Sequence, residues 1–143
     1  MSQRVGYTTG VYDMFHVGHL NILRNARSQC DHLIVGVTTD TMSESRKGKR
    51  PVVPETERLQ IVESVRWVDQ VVAQTSSDKL QAWRDLQFDV MFVGDDWKGT
   101  PIWDALEAEF AALGVEIVYF PYTTHTSSTM LRRALGERLE QAS

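Results

Sequence analysis

The sequence has a single cysteine and no apolar run long enough to span a membrane. Because Cys30 is alone among 143 residues, it has no partner for an intramolecular disulfide, and we expect a reducing compartment, the cytoplasm. No stretch of 18 apolar residues occurs, and the N terminus has no apolar signal-peptide core. We therefore expect neither a secretory signal nor a membrane partner.

The sequence also lacks an excess of basic residues. Its formal net charge is -4 and its pI is about 5.5, which argues against a nucleic-acid partner, since nucleic-acid binding normally requires a basic face. Small phosphorylated ligands need only a local cluster of cations, so they stay possible. With 42% hydrophobic and 24% charged residues, the composition is typical of a globular protein, and we expect residues 1–143 to form a single domain.

Apolar runs alternate with helical patterns along the chain. Strands are predicted at residues 5–9, 32–37, 68–72, 88–93 and 115–120. Helices are predicted at residues 18–28, from 55, and at 77–86, 102–113 and 127–139, whereas the polar segment 41–54 is predicted to be a loop. This alternation indicates an α/β fold, a Rossmann-like doubly wound five-stranded parallel sheet with helices on both faces.

In sheets of this kind, ligands bind beyond the carboxyl ends of the strands. Polar motifs follow the predicted strands at those ends, in residues 9–19, 38–40, 94–97 and 122–129. The sequence therefore predicts one polar site at this edge of the sheet.

The loop after the first predicted strand carries the string Gly10-Val11-Tyr12-Asp13-Met14-Phe15-His16-Val17-Gly18-His19. Free N–H groups and the positive end of a helix dipole make such a strand-to-helix junction suitable for phosphate. Two imidazoles can stabilise charge on a phosphoryl group during its transfer. A helix-capping histidine is the alternative interpretation. No metal site is predicted, because neither the spacing nor a nearby third ligand fits zinc.

A basic segment, Arg46-Lys47-Gly48-Lys49-Arg50, stands out in this acidic chain. Lysines two residues apart on a loop can bind separate phosphates as point charges. The alternative is a solvated turn.

Four aspartates follow predicted strands: Asp13, Asp40, Asp95 and Asp96. Asp95 and Asp96 can accept hydrogen bonds from ligand hydroxyl or amino groups, or can simply be turn residues. Asp13 and Asp40 can orient the catalytic loop or a metal–triphosphate complex. A magnesium ion that bridges phosphates needs few protein carboxylates, so the sequence does not select the aspartate nearest to it.

The string from Gly10 to His19 resembles the His-x-Gly-His signature of the cytidylyltransferase-like nucleotidyltransferases. Three more stretches extend the resemblance to the small bacterial glycerol-3-phosphate cytidylyltransferases over nearly the whole chain. They are Thr38-Thr39-Asp40, Arg58 with Val68-Asp69, and Gly94-Asp95-Asp96-Trp97-Lys98-Gly99.

The resemblance implies transfer of CMP from CTP, with Mg²⁺ carried by the triphosphate, to a small polyol phosphate. Glycerol 3-phosphate is the favoured acceptor, and the products are CDP-glycerol and pyrophosphate. The implied protein is a homodimer that supplies a teichoic-acid-like or capsular polymer. No direct metal ligands are implied.

The resemblance also assigns roles to individual residues. The implied catalytic residues are His16, His19, Lys47 and Lys49. The implied nucleotide-binding residues, besides both histidines and Lys49, are Gly10, Val11, Tyr12, Asp13, Gly18, Asp95, Tyr122, Thr123, Ser127, Ser128 and Thr129. The implied substrate-binding residues are Lys47, Lys79, Asp40, Arg58, Asp96 and Trp97.

The family's second signature, Arg-Thr-x-Gly-Ile-Ser-Thr-Thr, is only partly matched. Thr123, Ser127 and Thr129 match it, whereas Tyr122, His125 and Thr126 replace its arginine, glycine and isoleucine. The missing guanidinium removes a strong phosphate contact. Either His125 or the pair Arg132 and Arg133 substitutes for it, or the triphosphate is held differently.

These departures leave two alternatives open. The first is a nucleotidyltransferase for another acceptor, such as ribitol, ethanolamine or sugar phosphate, or for ATP in an FAD-synthetase-like reaction. The second is a nucleotide-binding module without catalytic activity.

Overall fold

The computed structural model describes residues 3–121 and 131–136. Strands and helices alternate through it, with two helices between the second and third strands and a further helical stretch at 131–136. The elements are β1 (Val5–Gly10), α1 (Val17–Arg27), β2 (His32–Thr38), α2 (Asp40–Lys47), α3 (Glu55–Glu63), β3 (Gln70–Gln74), α4 (Lys79–Leu86), β4 (Val90–Gly94), a 3-10 turn (Asp95–Trp97), α5 (Pro101–Ala112) and β5 (Glu116–Phe120).

The five strands form one parallel sheet in the order β3-β2-β1-β4-β5. The predicted doubly wound α/β fold is therefore confirmed. After β3 the chain crosses to the other side of β1, so the strand order reverses between β1 and β4. This switch point is where such sheets bind ligands.

Two apolar layers cover the sheet, one on each face. Leu23 of α1 and Val62 of α3 pack with Val35 on one face, whereas Trp103 and Phe110 of α5 pack with Met91 on the other. Successive residues of β2 and β4 alternate between the layers, as the two-residue period of a strand requires. Helices thus cover both faces of the central strands, and the polar loops follow the carboxyl ends of the strands.

The prediction of a loop at residues 41–54 is wrong for the first half of that segment, which belongs to α2. The Thr39 side chain accepts the Met42 N–H at the start of this helix, and Gly48 ends it with a φ of 73°. Helix-breaking residues come only after Lys47, and burial of Met42 gives the helix an inner side. Lys47 therefore lies at a helix end and Lys49 in the turn beyond it.

Several predicted boundaries shift by one or two residues; β4, for instance, begins at Val90 rather than at 88. β3 begins at Gln70 rather than 68, because Asp69 uses its carboxylate to accept the Leu33 N–H at 2.8 Å. α4 begins at Lys79 rather than at 77, because Asp78 caps it by accepting the Gln81 N–H.

Some expectations lie outside the described residues. The helix predicted at 127–139 is described only at 131–136, where it is helical. The single domain over residues 1–143 stays a prediction for the same reason. None of the helices in the described ranges is long and apolar enough to cross a membrane.

Candidate active site

The loop between β1 and α1 holds two non-glycine residues in the left-handed region. Tyr12 has a φ of 55° and Met14 a φ of 49°. Such conformations are costly for residues with a side chain and are found mainly where function demands them. Gly10 permits this shape, because a Cβ there would lie 2.9 Å from the Tyr12 ring. The loop is consequently a strained, closely packed structure.

His16 and His19 start α1 and cap it reciprocally. Nδ1 of His16 accepts the Gly18 N–H at 3.0 Å, and Nδ1 of His19 accepts the His16 N–H at 3.2 Å. This is a capping box built from two imidazoles. Both histidines therefore cap the helix, as the alternative interpretation expected. Capping uses only Nδ1 of each ring and leaves Nε2 available for catalysis. The Gly18 N–H, expected to face a phosphate, is instead used in the cap.

Capping determines where each ring carries its proton. A neutral imidazole has one donor and one acceptor nitrogen, so acceptance at Nδ1 places the hydrogen on Nε2. Burial lowers the pKa of His16; burial, and then the neighbouring His16, lower the pKa of His19 to about 4. Both rings are therefore neutral near pH 7. They offer two Nε2–H donors from rings whose centroids lie 4.0 Å apart.

Aromatic neighbours hold the His19 ring in place. The Tyr12 ring meets it edge-on at a centroid distance of 5.4 Å, and the Phe15 ring lies 5.3 Å away. Tyr12 was predicted to bind the nucleotide. Its side chain is only 4% exposed, which leaves little of it accessible to a ligand. Its role is to position His19.

Asp13 is an internal anchor, whereas the sequence suggested a nucleotide contact. It is 1% exposed, and its oxygens accept the Val52 and Val53 N–H groups at 2.8 Å each. Arg132 of the C-terminal helical stretch adds an ion pair at 2.6 Å. Burial by itself would raise the Asp13 pKa, but these donors lower it below the usual value. The carboxylate thus ties three segments together.

Arg58 also differs from its predicted role in substrate binding. Its side chain is fully buried, and its donors reach Val53 O at 2.8 Å, Val11 O at 2.8 Å and Thr38 O at 2.6 Å. A fourth bond, from Nη2 to Asp40 Oδ1, measures 2.6 Å. The guanidinium therefore links the chain just after β1 to the end of β2 and cannot contact a ligand.

Asp40 completes this arrangement. Its second oxygen accepts the Glu55 N–H at 3.2 Å, and its own N–H donates to Glu55 Oε1 at 3.3 Å. Burial would raise the pKa of Asp40, but the Arg58 hydrogen bond and charge, with smaller effects of Glu55 and Arg50, lower it. Asp40 thus has a structural role among these protein donors, and its substrate contact stays a prediction.

The cations gather on the β2 side of the loop. Burial lowers the pKa of Lys47 most, followed by the positive charges of Arg132 and Arg46. The negative charge of Asp13 acts in the opposite direction and raises it. Burial and then Arg46 lower the pKa of Lys79, whose Nζ donates to Ser77 O at 3.1 Å. Lys47 and Lys79 are therefore neighbours of one cation, Arg46, which the sequence-based list of site residues omitted. Lys49 is exposed in the turn after α2.

On the other side of β1, the turn after β4 carries the remaining predicted contacts. Asp95 and Asp96 are exposed in the 3-10 turn, and Trp97 is 43% exposed, with its ring 6.4 Å from that of Trp103. Their ligand-binding roles stay predictions. The predicted contacts of the second signature lie outside the described residues: Tyr122, Thr123, Ser127, Ser128 and Thr129.

A cavity of about 590 Å³ lies beyond β2 and β3. Its lining comes from α2, from Glu55 at the start of α3 and from residues 75–77. Sequence reasoning missed it because α2 was taken for a loop. The run Thr75-Ser76-Ser77 directly after a strand was the available signal.

Within the described ranges, no group of three or more histidine, cysteine, aspartate or glutamate side chains could hold a metal ion. Asp13 and Asp40 are committed to protein donors, as described above. Mg²⁺ carried by a triphosphate needs few protein carboxylates, so its participation stays a prediction.

Comparison with known families follows the motif and the fold. A family model described as cytidylyltransferase-like matches residues 7–134. The chain is 31% identical over 130 residues to a glycerol-3-phosphate cytidylyltransferase of Bacillus subtilis, covering 90% of this chain and 95% of that protein. It is 32% identical over 129 residues to the enzyme of the same name from Staphylococcus aureus, covering 90% and 92%.

A longer relative matches over a shorter range. The chain is 36% identical over 107 residues to the bifunctional protein HldE of Acidiphilium cryptum, covering 74% of this chain and 22% of that protein. The chain thus spans about a fifth of this relative.

Solved structures share the fold. The lipopolysaccharide core biosynthesis protein of Thermoplasma volcanium has a TM-score of 0.72 at 23% identity, covering 87% of this chain and all of that one. The pantoate-beta-alanine ligase of Francisella tularensis has a TM-score of 0.61 at 14% identity, covering 92% and 69%. At these identities, the likeness concerns the fold alone.

The structural role of Arg58 can be tested with Arg58→Met. This change leaves the partly exposed Asp40 without its Arg58 partner and removes the bonds of the buried guanidinium to three carbonyls, so we expect the free energy of unfolding in urea to fall by roughly 3 kcal/mol or more. Arg84→Met is the control, because Arg84 is exposed on α4 and its side chain bonds only Gln81 among described residues; its effect should stay within about 0.5 kcal/mol. Wild-type stability of Arg58→Met, combined with a raised KM, would restore the substrate-binding role.

Proposed function

The chain belongs to the cytidylyltransferase-like family of nucleotidyltransferases, and we propose that it transfers CMP from CTP to glycerol 3-phosphate, forming CDP-glycerol and pyrophosphate. The paired imidazoles at the start of α1, beside the switch point of the sheet, carry the proposal. The two relatives named glycerol-3-phosphate cytidylyltransferases support the choice of nucleotide and acceptor, because each is matched over at least 92% of its length.

The reaction requires no covalent enzyme intermediate. A phosphate oxygen of glycerol 3-phosphate attacks the α-phosphorus of CTP, and the bond from that phosphorus to the bridging oxygen breaks. Pyrophosphate leaves with the bonding electrons, and the attacking phosphate becomes part of the new diphosphate. The protein contributes positioning and stabilisation of charge.

The two imidazoles supply hydrogen bonds to that charge. Their Nε2–H groups donate to the oxygens of the α-phosphate and of the departing pyrophosphate, where negative charge grows in the transition state. Neutral rings suffice for this task, which agrees with the lowered pKa values of His16 and His19. Preorganisation by the capping box means that the rings need no rearrangement when the substrates bind.

The lysines bind the phosphates. In this proposal Lys47, at the end of α2, contacts the acceptor phosphate, and its electrostatic interaction with Asp13 in the loop before α1 supports that role. Lys49, two residues further, contacts the triphosphate in this proposal. A magnesium ion carried by the triphosphate would neutralise part of its charge. The backbone around Gly10 and Val11, and the turn at Asp95, complete the nucleotide site.

The experiment that tests the function is pyrophosphate release across a matrix of nucleotides and phosphoalcohols. We expect CTP with glycerol 3-phosphate to have the highest kcat/KM. The panel includes ATP and the phosphates of ribitol, ethanolamine and sugars, because Tyr122 replaces the family arginine. A higher kcat/KM for another pair would refute the assignment, and binding of CTP by calorimetry with no turnover for any pair would favour a non-catalytic module.

The dual role of the histidines predicts different effects for two substitutions of His19. In His19→Asn, Oδ1 can still accept the His16 N–H but the Nε2–H donor is lost, so kcat should fall by roughly 100-fold or more with little change in stability. His19→Gln retains a donor near the Nε2 position but loses the cap. It should retain more turnover and lose about 1 kcal/mol of unfolding free energy. Wild-type kcat in His19→Asn would rule out a catalytic imidazole.

A homodimer is part of the proposal and rests on family resemblance. Light scattering during size-exclusion chromatography should then give twice the mass of one chain, and a monomer at micromolar concentration would contradict it. A cytoplasmic location is supported by the free, buried thiol of Cys30. Supply of CDP-glycerol to a teichoic-acid-like or capsular polymer completes the proposal.

A further inference from the structure

Arg132, in the C-terminal helical stretch, is bonded to the loop that leads into the two histidines. Its Nη2 donates to Asp13 Oδ2 at 2.6 Å, although the two residues are 119 positions apart in the chain. Asp13 follows β1, beside the point where the strand order reverses, and precedes His16 by three residues. Because three residues span at most about 11 Å, the guanidinium lies near the imidazoles that the proposed reaction uses.

This ion pair occupies only part of the guanidinium. Asp13 is 1% exposed, whereas the Arg132 side chain is 39% exposed. Arg132 forms no other side-chain hydrogen bond or ion pair with the described residues, and a guanidinium carries five N–H donors in one plane. The side chain is therefore anchored at one end and has donors left for a second acceptor.

The charges around Asp13 favour an anion as that second acceptor. The charge of Arg132 has a larger effect on the lowered pKa of Lys47 than any other charge, second only to burial, and Asp13 opposes it. Two cations thus share a carboxylate that already accepts the Val52 and Val53 N–H groups. Asp13 does not neutralise both cations, so a further negative charge beside Arg132 is stabilised.

The nucleotide brings that charge in the proposed reaction. Negative charge on the departing pyrophosphate grows as its bond to the α-phosphorus breaks. The imidazoles that donate to these oxygens come three and six residues after Asp13. Arg132 itself lies three residues beyond Thr129, which the resemblance assigns to the nucleotide, whereas Tyr122 offers no cation. This position favours the triphosphate over the acceptor as the second partner of the guanidinium.

We propose that Arg132 bridges Asp13 and the β- and γ-phosphates of CTP, with Nη2 on the carboxylate and its remaining N–H groups on phosphate oxygens. The inference rests on the proposed function and adds a cation from the C-terminal helical stretch to the nucleotide site. Arg132 makes and breaks no covalent bond; it binds CTP and stabilises the pyrophosphate as it leaves. Since a planar guanidinium serves two acceptors at once, one side chain connects the nucleotide to the loop before α1.

Calorimetric titration with CTP and with CMP tests the proposal, because CMP lacks the β- and γ-phosphates. In Arg132→Gln the Kd for CTP should rise about tenfold or more, as expected for lost charge-assisted hydrogen bonds, and the Kd for CMP should stay within about twofold. A purely structural role gives a different result. A loop disturbed by loss of the Asp13 ion pair weakens both nucleotides together and leaves the ratio of the two constants unchanged.

Arg133→Gln is the matched control. It removes the same charge from the next residue, about 100° further round the helix, and Arg133 forms no side-chain bond with the described residues. Both dissociation constants should stay within about twofold of the wild-type values. An effect equal to that of Arg132→Gln would overturn the proposal, because loss of net charge alone would then explain both variants.

Arg132→Lys covers the case in which Arg132→Gln does not fold. Lysine keeps a positive charge opposite Asp13, but its ammonium lacks the planar fork that serves two acceptors. The Kd for CTP divided by the Kd for CMP should therefore rise several-fold above the wild-type value. A wild-type ratio in this variant would overturn the bridge.

Steady-state kinetics separate this proposal from the proposed function. In Arg132→Gln, KM for CTP should rise, and KM for glycerol 3-phosphate should stay within about twofold. A rise confined to glycerol 3-phosphate overturns the bridge, because Arg132 then acts on the acceptor, directly or through Lys47. Unchanged CTP binding in an active Arg132→Gln enzyme also overturns it and leaves the proposed function standing. A wild type that binds no CTP and turns over no phosphoalcohol overturns both.

Discussion

The guanidinium of Arg58 is buried between the ends of β1 and β2, where it donates to Val11 O, Thr38 O, Val53 O and the Asp40 carboxylate. A buried charge is tolerated only when its donors are satisfied, so this set of bonds fixes the relative position of four chain segments. Those segments include the loop between β1 and α1 that leads to His16 and His19 (the histidine loop), the start of α2 and the turn before α3. Asp13 acts beside it, since its buried carboxylate joins the histidine loop to residues 52 and 53 and to Arg132. The geometry of the edge on which catalysis is proposed thus depends on two buried charges that do not contact substrate.

The orientation of the two imidazoles is likewise fixed by hydrogen bonds within the protein, those of the capping box. His16 and His19 satisfy N–H groups at the helix start with Nδ1, and the same bonds direct the remaining hydrogen of each ring to Nε2. Helix stability and proton placement therefore depend on the same two interactions. The left-handed residues Tyr12 and Met14 add strain to the loop, which is offset by its burial against Phe15 and by the Asp13 anchor. A pair of neutral, preoriented donors is the result, as in-line nucleotidyl transfer requires.

Sheet topology sets the positions of the polar segments around the histidines. The reversal of strand order between β1 and β4 places the Asp95 turn on one side of the histidines and the hydroxyl-lined cavity on the other. In-line displacement needs the attacking phosphate oxygen to lie opposite the pyrophosphate leaving group at the α-phosphorus of CTP.

The sequence by itself determined the fold class and the location of the site, because strand and helix periodicities are local and polar motifs after parallel strands must meet at one edge. It also determined the family, through the histidine motif and the Gly94–Gly99 stretch. It did not determine the roles of Asp13, Asp40, Tyr12 and Arg58. Each has side chain chemistry suited to a ligand, and only the tertiary structure decided that their partners are the protein's own backbone and charges. The same holds for α2 and the cavity it lines. Whether residues 40–47 form a helix depends on burying Met42. Arg46 interacts with Lys79 only because β2 pairs with β3, which brings together segments far apart in the chain. Hydrogen-bond partners far apart in the chain leave no local signal, so those assignments belong to the structure.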